Sequence, residues 1–254
     1  TLPMIIGSLL QQCYNIADTL IVGQCIGSGA LAAVGSAYTL MVFLISILLG
    51  LSMGSGTVFS LQYGAGRMKA LRRSIYVSAV LIGTVTIVLN IAALSFIHPI
   101  LKLLQIPDDI YQMMYDYLWI IFWGIGFTFI YNFYAALLRA IGNAVTPLYF
   151  LAISVVLNIG LDLFFILLLD WGIKGAAIAT IIAQGVSALG IMGYTYAKCP
   201  ELRLHRNDLH FDRHCLKEIT SFSTLTCIQQ SVMNLGILMV QGLSLIHISE
   251  PTRH

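Results

Sequence analysis

Long runs of apolar residues, separated by short polar segments, restrict how this sequence can fold more than any other feature. A helix needs about 20 mostly apolar residues to cross roughly 30 Å of hydrocarbon. Seven runs meet that requirement, at residues 3–26, 30–63, 74–104, 110–138, 145–169, 172–197 and 219–243. Only 9% of the residues are charged, whereas soluble domains carry about 25%. The sequence therefore predicts an all-α, polytopic membrane helix bundle with the lipid bilayer as its solvent.

The second run is too long for one straight crossing and contains three closely spaced glycines, Gly50, Gly54 and Gly56. Glycine lets a helix bend, and it also lets a neighbouring backbone approach closely. The pattern predicts one of these two uses at this place in the second helix.

Basic residues predict which side of the membrane each loop faces. If the N-terminus is cytoplasmic, the inner loops 62–73, 139–147 and 198–218 hold ten lysines and arginines, and the outer loops hold only Lys102 and Lys174. Cytoplasmic loops retain positive charge. We therefore expect a cytoplasmic N-terminus, with Asp108, Asp109 and Asp170 facing outward.

Composition and motifs exclude several functions. The net charge of +2 is too small to indicate a nucleic-acid partner. The five cysteines form no paired framework, and we expect free thiols or small apolar residues. No nucleophile elbow, HExxH motif or phosphate-binding glycine loop is present, so an enzyme is not expected. The start at Thr1 has no signal-peptide pattern, and we expect it to be truncated.

Two aspartates lie well inside predicted spans, Asp18 in the first and Asp162 in the fifth. An ionisable side chain in lipid costs about 2.5–3.5 kcal/mol even on insertion scales. Each aspartate has polar neighbours at helical spacing, and the sixth span repeats the pattern. The three stripes are Gln11, Asn15 and Asp18; Asn158 and Asp162; and Thr180 and Gln184.

These stripes have two interpretations. Carboxylate, amide and hydroxyl oxygens are the ligands that a hard cation prefers, and two close carboxylates would share a proton or a metal cation. Alternatively, the polar groups hold the helices together by hydrogen bonds. Asn15, Asn158 and Thr180 suit either interpretation, whereas the two carboxylates favour the cation site.

Other polar and aromatic residues in the spans are weaker candidates. Further polar residues, and the neighbours of the aspartates in the stripes, either line a cavity or make packing hydrogen bonds: Gln11, Gln12, Tyr14, Asn15, Asn90, Asn132, Gln184, Gln229, Gln230 and Asn234. Aromatic residues of the fourth span either line a cavity for cationic drugs or make ordinary contacts: Phe122, Phe127, Phe129, Tyr131, Phe133 and Tyr134.

Five segments together resemble the MATE (multidrug and toxic-compound extrusion) transporters, nearest the DinF-like branch. They are 14–23, 29–35, 138–143 with Pro147, 157–162 and 172–180. The resemblance covers roughly residues 1–243, and its specificity comes from the order and spacing of the motifs.

The resemblance implies an exporter of twelve helices in two lobes. This chain would supply a six-helix N-lobe (1–198), a cytoplasmic linker (199–218) and the first C-lobe helix (219–243), and its partner would be the missing C-lobe. The ending 244–254 looks foreign, and the chain alone is not expected to transport anything. The family also implies a bacterial cytoplasmic (inner) membrane as the location.

The resemblance further implies that Asp18, Asn158, Asp162 and Thr180 bind the coupling ion, Na⁺ or H⁺, with no other cofactor. Pro3 matches a proline at which the first helix bends. We therefore expect an antiporter that exports small organic cations. A lipid-linked saccharide flippase would need a basic cavity, yet no lysine or arginine lies deep in the spans. A membrane scaffold would leave two buried carboxylates unexplained.

Overall fold

The computed structural model of the chain describes the backbone of residues 2–103, 106–205 and 212–249. Nine α-helices make up nearly all of this part: α1 Leu2–Cys25, α2 Ser28–Gly64, α3 Met68–Ser95, α4 Ile97–Leu103, α5 Asp108–Trp123, α6 Ile125–Ala140, α7 Val145–Leu163, α8 Gly172–Lys198 and α9 Arg213–Ser249. No strand occurs within those ranges. The predicted all-α class is confirmed.

Helix length and composition confirm a multi-pass membrane protein. Four helical segments of the described chain are long and apolar enough to cross a membrane: 29–64, 68–95, 145–168 and 172–198. Helices α5 and α6 together form a fifth, with a bend of 45° between them. Helices α1 and α9 occupy the first and last predicted runs.

The fourth predicted span is therefore not one straight helix. It breaks at Gly124, where an added Cβ would lie 2.9 Å from the Ile181 side chain of α8. The Asn90 side-chain amide donates a hydrogen bond to the Phe122 carbonyl beside the break. A polar side chain that satisfies a backbone group at a break makes such a bend tolerable in lipid. For Asn90, the structure supports the packing interpretation.

Helix α2 is continuous from Ser28 to Gly64; Gly50 and Gly54 serve close packing against α9, and Gly56 faces α6. An added Cβ at Gly50 would lie 2.6 Å from the Cys227 backbone, and one at Gly54 would overlap the Ser223 backbone. The Ser223 hydroxyl donates to the Leu51 carbonyl at 3.3 Å. Small residues thus bring the two backbones together, as in other membrane helix pairs.

Large apolar side chains cover much of the outside of the bundle. Val156 is 72% exposed and Leu168 is 73% exposed, and neither belongs to the buried core. The core itself contains fully buried side chains such as Phe59, Phe122 and Leu138. An outer surface this apolar is expected of helices that face lipid.

The predicted linker is shorter in the structure, because α9 begins at Arg213 rather than at residue 219. The Asp212 carboxylate accepts a hydrogen bond from the His214 backbone amide at 2.9 Å, as an N-cap does. The same carboxylate forms an ion pair with Arg73 of α3 at 3.1 Å. These two interactions hold the pKa of Asp212 below its usual range. Residues 206–211 and 250–254 lie outside the described residues.

Replacing Asp212 tests which of these interactions fixes the start of α9. Asp212→Ala should speed amide hydrogen exchange at residues 213–216 several-fold, because the capping acceptor is lost. Asp212→Asn should stay near the wild-type rate, since asparagine also caps helices. Because the pKa is lowered, the stabilisation from Asp212 is present at neutral pH and is lost as the pH falls through that lowered pKa. If Asp212→Ala and Asp212→Asn exchanged at the same rate as each other, the capping role would be contradicted.

Candidate cation-coupling site

Helices α1 and α7 pack together and bring the two predicted carboxylates face to face. Asp18 is 8% exposed and Asp162 is fully buried. Their carboxyl groups are close enough to interact electrostatically. Two carboxylates this close in a low dielectric do not readily ionise together. The pair therefore favours a bound proton or a bound cation.

Thr180 of α8 forms hydrogen bonds to both α1 and α7. Its hydroxyl oxygen accepts a hydrogen bond from the Tyr14 hydroxyl of α1 at 3.2 Å and from the Asn158 amide of α7 at 3.3 Å. These two bonds occupy both lone pairs of the Thr180 oxygen. In this arrangement Thr180 orients Asn158, and it would have to release one bond to bind a cation itself.

Four buried oxygens at the junction have no hydrogen-bond partner among the described residues: both Oδ atoms of Asp162, Oδ1 of Asp18 and Oδ1 of Asn158. Buried polar atoms are normally paired, and an unpaired one costs about 1–3 kcal/mol. Because the Asn158 amide nitrogen is held by Thr180, its oxygen is left available. The donor set consists of oxygens alone, which suits a hard cation.

The helix changes pitch immediately beyond Asp162. Residues Phe164–Leu168 form a π-helical turn, and the chain then reverses through Asp170, which has a positive φ of 53°. The Phe165 ring stacks on Trp171 at 5.1 Å between ring centroids. Single π-turns occur frequently at functional sites. Nothing in the sequence pattern distinguishes this turn from an ordinary helix end.

Tyr117 of α5 belongs to the same neighbourhood, although the sequence did not single it out. It is buried in the core and lies near Asp18, Tyr14 and Asp162. Tyr117 is one of several aromatic residues in its span. Its place near the carboxylates follows from how α5 packs in the bundle, which the sequence does not show.

Gln184 and Asn132, which were predicted as cavity-lining, lie in a different polar cluster beside the α5–α6 break. The Thr128 hydroxyl donates to Gln184 Oε1 at 3.1 Å, and the Asn132 amide donates to the Thr128 carbonyl at 2.8 Å. Gln11 is exposed, and the Asn15 amide donates to Gln12 at 3.5 Å within α1. None of these contacts joins the residue to the carboxylate pair.

Some of the remaining candidates make packing contacts, and others have side chains that the structure does not describe. Phe122 and Phe133 are buried in the apolar core, so they pack helices rather than line a cavity. The Tyr131 hydroxyl donates to the Pro147 carbonyl at 2.9 Å. Pro3 lies in α1, but its side chain and that of Asn234 are outside the described residues.

Comparison with known proteins identifies the family to which this chain belongs. The MatE family profile matches residues 3–164. Probable multidrug resistance protein YpnP of Bacillus subtilis is 35% identical over 189 residues, 74% of this chain and 42% of that protein. Probable multidrug resistance protein YoeA of the same organism is 28% identical over 252 residues, 98% of this chain and 52% of that protein. The chain spans about half the length of these relatives.

The fold is also similar to that of solved MATE transporter structures. An outward-facing multidrug resistance MATE family transporter of the MOP superfamily superposes with a TM-score of 0.86 at 23% identity. The superposition covers 96% of this chain and 54% of that one. This likeness establishes the fold, and the profile match over most of the chain establishes the family. The chain belongs to the MatE family.

Proposed function

We propose that this chain forms the N-terminal lobe of a cation-coupled exporter. Influx of Na⁺ or H⁺ through the site at Asp18, Asn158, Asp162 and Thr180 drives the export of small organic cations. The six-helix lobe is residues 1–198, the linker ends at Asp212, and α9, which begins at Arg213, belongs to a second lobe that completes the substrate cavity.

The observation that carries this proposal is the group of unpartnered oxygens from Asp18, Asn158 and Asp162. A structural hydrogen-bond network would satisfy its own acceptors. This group instead leaves acceptors unpaired and two carboxyls adjacent, so the lowest-energy state has a proton or a metal cation between them. Because α1 contributes one carboxylate and α7 the other, the occupant also determines how closely the two helices approach.

The membrane arrangement follows from charge. Ten basic residues in the loops 62–73, 139–147 and 198–218 favour a cytoplasmic N-terminus in a bacterial cytoplasmic membrane. Asp162 is followed by the π-turn and by Asp170 at the predicted outer end of α7. A cation driven inward by the membrane potential would then approach the site from the side that carries the acidic loop residues.

The names of the relatives YpnP and YoeA support organic drugs as cargo. A flippase for lipid-linked saccharides stays the alternative, and it requires cationic side chains to hold a pyrophosphate. The lysines and arginines of the described chain lie at helix ends and in loops. This distribution favours a cationic cargo over an anionic one.

Release of a bound fluorescent organic cation tests the coupling. A full-length transporter that contains this sequence is loaded with the dye in detergent. Either Na⁺ at constant pH or acidification without Na⁺ should release the dye, because the ion and the dye favour different arrangements of α1 and α7. The ion that releases the dye, Na⁺ or H⁺, is the coupling cation.

The matched control uses choline chloride at the same ionic strength, which screens charge but does not fit a small oxygen site. Release by choline as effective as release by Na⁺, together with no response to acid, would refute coupling through this site.

A further inference from the structure

A mixed-charge pocket lies at the predicted outer end of the bundle, away from the carboxylate pair. It has a volume of about 530 Å³ and is lined by His98, Lys102, Ile106, Asp108 and Tyr111. Neither Lys102 nor Asp108 has an ion-pair partner among the described residues. One pocket therefore presents an ammonium and a carboxylate that are not neutralised by the protein.

Below this pocket, four aromatic residues follow one face of α5 at intervals of four: Tyr111, Tyr115, Trp119 and Trp123. The His98 ring stacks on Tyr115 at 4.7 Å between centroids, and its Nδ1 lies 2.8 Å from the Tyr111 hydroxyl. Tyr115 stacks on Trp119 at 6.3 Å, and Trp119 meets Trp123 edge to face at 6.4 Å. The result is a continuous aromatic strip.

The strip extends too far into the membrane for simple interfacial anchoring. Twelve residues of helix span about 18 Å, which is slightly more than one leaflet of a hydrocarbon core about 30 Å thick. Tyrosine and tryptophan anchors normally sit at headgroup level. Trp123, at the deep end, is 62% exposed.

We propose that this pocket and strip bind one phospholipid whose headgroup carries both a phosphate and a primary ammonium, such as phosphatidylethanolamine. Lys102 contacts the phosphate, Asp108 accepts hydrogen bonds from the ammonium, and an acyl chain lies along the strip from Tyr111 to Trp123. An anionic headgroup without an ammonium would place no positive charge beside Asp108. A choline headgroup would offer Asp108 no hydrogen-bond donor.

Native mass spectrometry of the purified protein tests this proposal with three lipids of equal chain length: phosphatidylethanolamine, phosphatidylcholine and phosphatidylglycerol. Phosphatidylethanolamine should be retained about two- to fivefold better than either of the others, in keeping with an exposed charge pair. Asp108→Asn should remove this preference, and Lys102→Gln should weaken retention of all three lipids.

Two matched controls separate the site from general surface effects. Asp109→Asn changes the neighbouring exposed carboxylate, which does not line the pocket, and should keep the wild-type preference. Trp123→Ala should lower retention, whereas Tyr149→Ala, at a residue 67% exposed on α7, should not. Equal retention of the three lipids, or an equal effect of Asp108→Asn and Asp109→Asn, would overturn the proposal.

Discussion

Asp162→Asn and Asp18→Asn should each abolish drug resistance in cells that express the full-length transporter, while the amount of protein in the membrane stays unchanged. Each replacement removes one carboxylate from a pair that shares its occupant, so the site can no longer alternate between a loaded and an empty charge state. A contact to a charged group contributes about 1.5–3 kcal/mol, which corresponds to about a 10- to 150-fold loss of cation affinity.

The control for this prediction is another buried polar group in the same bundle. Ser55 of α2 is fully buried, and its hydroxyl also lacks a partner among the described residues, but it does not belong to the carboxylate site. Ser55→Ala should keep full resistance. Thr180→Val should have an intermediate effect, because Thr180 orients Asn158 and Tyr14. Wild-type resistance in Asp162→Asn would refute the coupling role.

Gly54→Leu should separate α9 from α2 and destabilise the protein. Even a Cβ at this position overlaps the Ser223 backbone, and backbone atoms cannot move aside as a side-chain end can. Overpacking typically costs 1–3 kcal/mol, which corresponds to a fall in Tm of about 2–12 °C for a chain of this size. Thermal unfolding in detergent measures the change.

A second measurement in the same variant reports the position of α9. The Cys227 thiol of α9 is half-buried against α2, 3.5 Å from the Ile47 carbonyl. Its labelling by a maleimide should accelerate when the helices part. Gly35→Leu is the matched control, since a Cβ there has no atom within 4 Å. If Gly54→Leu and Gly35→Leu had the same Tm and labelling rate, the close contact would not matter.

The bundle and the carboxylates could be predicted because lipid imposes strict requirements on sequence. A span must be long and apolar, so the runs that contain α2, α3, α7 and α8 are visible directly. An aspartate in such a run is costly, which singles out Asp18 and Asp162 without any knowledge of their neighbours. Their approach across α1 and α7 was then expected from shared polar stripes.

Features that depend on packing between helices could not be predicted. The break at Gly124 lies against the Ile181 side chain of α8, and the span is apolar on both sides of it. The position of Tyr117 depends on how α5 packs in the bundle. Gln184 lies one helical turn from Thr180 in the same predicted stripe, yet its side chain contacts a different polar cluster. Helical spacing gives the face of a residue but not the helix that it meets.

Difference infrared spectroscopy of the carboxyl C=O stretch tests the central claim most directly, because it detects protonated aspartate whether the coupling ion is Na⁺ or H⁺. Spectra are recorded before and after adding Na⁺ and across a pH titration. We expect a protonated-carboxyl band that disappears with Na⁺ or at higher pH in the wild type, and that is altered in both Asp18→Asn and Asp162→Asn. A spectrum that does not respond to Na⁺ or pH, or a band that persists unchanged in both variants, would contradict it.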